Sequence, residues 1–216
     1  MDKYIRIFRQ SISQSLIGRT HYIQIVAVML FLFGLLLTSS CGSLPRTRPA
    51  GVERASDFHD FRIQRSRLGK IEIGMTIEEA EKHLSGFTKE EHDAVAFGFG
   101  GGSPAYLYSR EGEIVLGLIP RLDTDSLLFI IAAHEKLRTT NGLNPKSTVS
   151  ELIQKYPDFA VWYDEMNEWE YFQDEDNGWD FIFMTDKDTE IGEYMGFDKP
   201  AKPKNLGVKT DWITIR

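Results

Sequence analysis

A phrase that occurs twice constrains this chain more than any other feature. It reads Ile73-Gly74-Met75-Thr76-Ile77-Glu78-Glu79-Ala80 and, 72 residues on, Lys146-Ser147-Thr148-Val149-Ser150-Glu151-Leu152. In each copy a threonine stands at a helix N-cap, and a glutamate three places later (Glu79, Glu151) can reach back to the N–H of that cap, the capping-box arrangement. Apolar residues then fall on one helical face: Ile77, Ala80 and Leu84 in the first copy, Val149, Leu152 and Tyr156 in the second. Each predicted helix, 76–86 and 148–156, precedes a series of short, aromatic-rich strands. The expected fold is therefore α+β, with tandem helix-plus-antiparallel-meander units at 68–138 and 139–216 that share or pack their sheets.

Residues 1–40 stand outside that plan. Lys3, Arg6, Arg9 and Arg19 oppose the single acid Asp2, and residues 25–37 carry no polar side chain. As a helix that block would span roughly 20 Å, short of the roughly 30 Å hydrocarbon core of a bilayer. A secretory signal fits better than a membrane span. The chain's one cysteine, Cys41, follows directly behind Thr38-Ser39-Ser40. That placement resembles the lipobox of bacterial lipoproteins, whose cysteine becomes the lipidated first residue of the mature chain. Here Thr38 holds the place where leucine is usual, and Leu37 lies one step further out. The competing reading is an uncleaved signal anchor over residues 22–37. Either way the remainder lies outside the cytoplasm.

Cleavage before Cys41 would leave 176 residues with 21 basic against 31 acidic side chains, a balance of −10. Nucleic acid is thereby excluded as an expected partner. No cysteine remains for a disulfide, so stability must come from the core. Residues 41–67 contain Pro45, Pro49, Gly51 and Arg46, Arg48, Arg54, Arg62, Arg65 and Arg67 without a sustained apolar period, and read as a flexible tether.

Within the first unit, residues 93–99 alternate, which predicts a half-buried strand with Val95, Phe97 and Phe99 on one side. Further strands are expected at 105–109, 113–119 and 126–133, and in the second unit at 159–163, 168–173, 179–184 and 208–215. Asn177-Gly178 predicts a type I′ hairpin. The connection 185–206 is long enough to be either functional or disordered.

The Ile73-Gly74-Met75-Thr76 phrase resembles that of the BamE/SmpA family of small lipoproteins, which takes part in outer-membrane assembly. The doubled form is similar to the β-lactamase-inhibitor-protein fold, in which two such units place their strands in one sheet with a concave face. The resemblance spans residues 68–216, is sharp over about ten residues per copy, and implies fold more strongly than partner. It carries over no functional residue. Gly42 lacks the aspartate that marks inner-membrane retention in enteric lipoproteins, so the resemblance implies the outer membrane, on its periplasmic face.

Several constellations have a plain structural reading. Residues 98–103 lack the Lys-Ser/Thr of a phosphate loop and read as a hairpin turn. His21, His59, His83, His92 and His134 follow no metal-ligand spacing, and residues 174–178 depart from the calcium-loop pattern, so neither metal nor cofactor is expected. No serine or cysteine nucleophile motif is present; Asp164, Glu165, Glu168, Glu170 and Asp180 leave open a carboxylate-dependent envelope hydrolase, and a cation or small-ligand sensor is a third class. The bias that remains is in residues 158–198, with fourteen acids against the single base Lys187, while all four tryptophans lie between 162 and 212. A core face opposite a water face accounts for that alternation. The sharper expectation is an exposed aromatic patch of Trp162, Trp169, Tyr171, Tyr194, Met195 and Phe197 with an acidic rim, the composition of an interface. The resulting reading is a lipid-anchored, non-catalytic module that binds another envelope protein.

Overall fold

A computed structural model describes residues 58–196 and 199–216. The predicted signal, Cys41, residues 42–57 and Phe197 lie outside the described residues. A 3-10 turn, Phe58–Asp60, leads into three short strands, β1 (Arg62–Gln64), β2 (Arg67–Leu68) and β3 (Ile71–Glu72). Helix α1 (Ile77–Glu81) follows, then β4 (Thr88–Asp93), a 3-10 turn (Ala94–Phe97), β5 (Pro104–Arg110), β6 (Glu113–Pro120), β7 (Leu127–Ala132) and β8 (Arg138–Thr139). Helix α2 (Val149–Lys155) opens the last stretch, which continues through β9 (Trp162–Asp164), β10 (Trp169–Asp174), β11 (Trp179–Phe183) and β12 (Trp212–Ile215).

These elements correct the expected fold class. The described chain is mostly β: twelve strands form a mixed four-stranded sheet, β3-β2-β1-β8, and an antiparallel eight-stranded sheet, β4-β5-β6-β7-β12-β11-β10-β9, while the two α-helices have only five and seven residues. The α+β plan of two helix-plus-meander units fails because the helices end early and because residues 62–72, assigned mostly to a tether, form strands. Ile63, Leu68 and Ile71 are fully buried there, alternating with exposed Arg62, Arg67 and Glu72. Arginine-rich sequence masked a period of two.

Both capping boxes form. Thr76 Oγ1 accepts from the Glu79 N–H at 3.2 Å and Glu79 returns a bond to the Thr76 N–H at 3.0 Å; Thr148 and Glu151 make the same pair at 3.2 and 2.7 Å. The Thr76 bonds hold the Glu79 carboxyl below the usual carboxylate range. Each capped segment is also sewn to the chain entering a central strand. Leu127 exchanges bonds with the first segment's backbone (Gly74 N–H to Leu127 O, 2.8 Å; Leu127 N–H to Met75 O, 2.7 Å), and at the second Val149 N–H donates to Val208 O while Thr210 N–H donates to Ser147 O, both at 2.9 Å. A short helix is thus fixed at its N-terminus by side chain and sheet together.

Cross-strand register places Leu118, Ile130, Ile215 and Trp179 in one row, and Leu116, Ala132, Ile213, Phe181 and Phe172 in the next. The apolar faces of both helices (Ile77, Ala80, Val149, Leu152) and of the small sheet (Ile63, Leu68, Ile71) join these rows in one core cluster. Full burial of each large apolar side chain contributes about 1.5–3 kcal/mol. Edge strand β4 stands outside that core: all six of its residues are exposed.

Local sequence misled at two turns. Residues 94–97 are helical, not extended: Asp93 caps the Val95 N–H at 3.0 Å, and burial falls on Ala94 and Phe97, three apart, leaving Val95 52% exposed. The β10–β11 connection is not a two-residue type I′ turn, because only Gly178 (φ +68°) has positive φ; Asp174 Oδ1 instead accepts from the Asn177 N–H at 3.1 Å across a four-residue loop. Replacing Thr148 by alanine is expected to lower unfolding free energy by about 1 kcal/mol, read from the urea midpoint at unchanged m-value.

Candidate interaction surface

The face of the large sheet turned away from the core carries a graded series of side chains. Trp162, Tyr171, Ile182 and Trp212 form one cross-strand row, and Gln173, Asp180 and Thr214 form the next. Trp212 is covered: Phe97 packs edge-on to it at 5.5 Å and Trp169 at 5.3 Å between ring centroids. The close approach of the 94–98 turn requires glycine at position 98, since at φ +82° a Cβ there would lie 2.7 Å from the Trp169 ring. Phe99 stacks on Phe129 at 4.3 Å and extends the cover.

Toward β9 the cover ends, and Trp162 and Tyr171 remain half-buried neighbours. Beside them Asp180 accepts from Gln173 Nε2 and pairs with Arg216 Nε, each at 3.1 Å. Burial pushes the Asp180 carboxyl up, opposed by Arg216 and Gln173. The Tyr171 phenol is also raised, by burial and then by the charges of Asp164 and Asp180. Asp164 closes the β9–β10 turn, accepting from the backbone N–H groups of Met166 and Asn167 at 2.9 and 3.1 Å, and Met166 projects from that turn 85% exposed.

The expected patch is therefore divided. Trp162, Trp169 and Tyr171 share one face, but Trp169 is only 6% exposed and serves as packing. Tyr194 lies with Tyr163 on the opposite side, their ring centroids 5.7 Å apart, and Met195 is fully exposed near it. The residues that sequence reasoning did not group, Gln173 and Arg216, are brought to Asp180 by strand pairing. Extending the alternation of 169 and 171 to 173, and laying 180 opposite it across the hairpin, would have found the first of them.

Tyr194 has a structural duty. Its hydroxyl donates to Glu170 at 2.7 Å, and the same fully buried carboxylate accepts from the N–H groups of Ile191 (2.7 Å) and Gly192 (2.8 Å) and from Thr185 Oγ1 (2.6 Å). Burial first, then the bond to Glu170, drives the Tyr194 phenol well above its ordinary range. This all-donor cage pins the first part of the long 185–206 connection to β10, and the Val161–Ala201 bridge fastens the connection again further on. Asp164 and Glu170, close in sequence, are thus committed to a turn and a cage on opposite faces. Among the described residues no three His, Cys, Asp or Glu side chains converge as metal ligands do. An open depression of about 500 Å³ beside the β1–β2 turn is lined by Gln64, Arg67 and Glu72, which are already bonded to one another.

No family model and no curated protein matches the chain. Among solved structures, the crystal structure of the uncharacterized protein yfeY from Escherichia coli is similar, with a TM-score of 0.46 and 11% identity over 72% of this chain and 97% of that one.

Substituting Gly98 by alanine is expected to destabilise the protein by more than about 1 kcal/mol, since it adds a positive-φ penalty to a clash. The near-ultraviolet dichroism of Trp169 and Trp212 should report the displaced ring. Changing Glu170 to alanine leaves two N–H groups and two hydroxyls without their acceptor, each buried group costing about 1–3 kcal/mol; limited proteolysis within 186–206 should accelerate well before the core unfolds.

Proposed function

We propose that this chain is a lipid-anchored cell-envelope protein, held through Cys41 at the periplasmic face of the outer membrane, that acts as a non-catalytic module binding another envelope protein in assembly or inhibition. The observation that carries the binding role is the pair Trp162 and Tyr171, half-open on a sheet face and bordered by Asp164 and the Gln173–Asp180–Arg216 array. Rigid aromatic area inside a polar border is what binding hot spots are made of. Of the five carboxylates that leave a hydrolase reading open, Asp164 and Glu170 already hold the scaffold together, which favours binding over turnover. The address rests on the sequence of residues 1–42 and on the resemblance of the 73–76 phrase to the BamE/SmpA family.

A photo-crosslinking residue at position 166, in the exposed turn that links β9 to β10, is expected to capture a defined envelope protein in intact cells, while the same residue at position 91 on β4 captures none. Trp162→Ala should weaken that complex by about 2 kcal/mol, roughly 30-fold, with the fold retained. Equal capture from both positions, insensitive to Trp162, would remove the assignment. Incorporation of labelled palmitate in the wild type and its loss in Cys41→Ala tests the anchor separately.

A further inference from the structure

His134 sits just past β7 with both ring nitrogens committed. Nδ1 accepts from the Lys136 backbone N–H at 3.1 Å, so the proton of the neutral ring resides on Nε2, which lies 3.0 Å from Glu113 Oε2. The ring is 8% exposed and stacks on Phe58, centroids 4.6 Å apart at an interplanar angle of 27°. Phe58 opens the 3-10 turn whose backbone is closed by the Phe61 N–H donating to the Phe58 carbonyl at 3.1 Å. Two cations already flank the same phenyl ring, Lys136 Nζ at 5.0 Å and the Arg110 guanidinium at 5.8 Å.

From this geometry we infer that His134 is the trigger of a mild-acid latch, which clasps the 58–60 turn to the fold while neutral and releases it on protonation. An imidazolium must carry hydrogen on Nδ1, and that hydrogen would face the Lys136 N–H. The backbone bond is lost, and a third positive charge joins Lys136 and Arg110 around the Phe58 ring. The charged groups facing His134 pull both ways: Glu113 from β6 and Glu135 from its own loop favour the cation, Lys136 opposes it, and exposed His59 and Asp60 share the turn with Phe58. Burial outweighs the carboxylates and depresses the ring's proton affinity. A depressed value in the folded state means that the contribution to stability is intact above about pH 6.5 and is lost as pH falls through the folded-state value. Release would free the three residues of the turn, about 10 Å of extended chain, ahead of Phe61, which the core holds independently.

In the full-length chain, the ring C–H signals of His134 and the amide exchange of Lys136 and Phe61 are to be followed by NMR from about pH 7.5 to about pH 5. Corrected for intrinsic rates, protection of both amides is expected to fall about tenfold as the ring titrates, while the β7 and β12 amides hold. His134→Gln supplies an acceptor for Lys136 and a donor for Glu113 without titrating, so its protection should stay flat with pH. A ring that titrates with no change at Lys136 and Phe61, a ring that stays neutral down to about pH 5, or a His134→Gln chain that loses protection like the wild type overturns the latch. The wild-type titration decides the matter alone if the variant does not fold.

Discussion

The pairing of β7 with β12 is the constraint on which the remaining structure depends. Three registered pairs, Ile130 with Ile215, Ile131 with Thr214 and Ala132 with Ile213, join strands more than eighty positions apart, and in the large sheet they alone connect β4–β7 to β9–β12. One side of that seam is the centre of the core; the other lies beneath the Phe97 and Phe99 cover. The chain's end is fastened from β12 as well. Arg216 reaches Asp180, the Arg216 carbonyl accepts from Ser66 Oγ at 3.0 Å, and on neighbouring β11 the Trp179 indole donates to Gln64 O at 3.2 Å. Non-local pairing of this kind delays folding, because loop closure must precede the contacts that compensate it. The polar array beside Tyr171 includes Arg216 and is therefore complete only with β12 in place.

A second pattern runs through the acidic residues. Glu81 accepts from Tyr108, Asp174 from Tyr156 and Glu170 from Tyr194, each at 2.7 Å. In every case a tyrosine hydroxyl joins a carboxylate across two elements: α1 to β5, the end of α2 to β10, and the long connection to β10. The pairing raises all three phenols, with burial as the larger cause. Carboxylates taken out of water are tolerable only when donors surround them, and no buried side-chain nitrogen or oxygen among the described residues lacks a partner. Part of the strong negative bias of residues 158–198 is therefore internal carpentry, and the share left for a partner is smaller than composition alone implies.

Much was legible where local chemistry decides the outcome. Capping boxes depend on neighbours three residues apart, so Thr76 and Thr148 announced themselves; the strands from 104 to 132 and from 169 to 183 followed from density of β-branched and aromatic residues. What could not be read was settled by distant contacts. Ala94 to Phe97 alternates as a strand would, yet Trp169 and Trp212 offer a floor that a 3-10 turn fits better. Residues 62–72 looked like tether because their outward side chains are arginines. The aromatic patch is divided for the same reason: alternation tells which residues share a face, but Trp169 and Trp162 share one and differ in burial, the first lying under the Gly98 turn and against the Trp212 ring.

Strand β4 gives the sheet a border with a particular character. Its Lys89, Glu90, Glu91, His92 and Asp93 are all exposed, and Lys89 is tied back to Glu81 at 2.6 Å. An outermost strand with open backbone groups invites a second chain to lie alongside it, and a dense run of charged side chains discourages that. Were many copies crowded on one bilayer, as a lipid anchor would arrange, this border would keep them from zipping into a continuous ribbon and leave each one separately available.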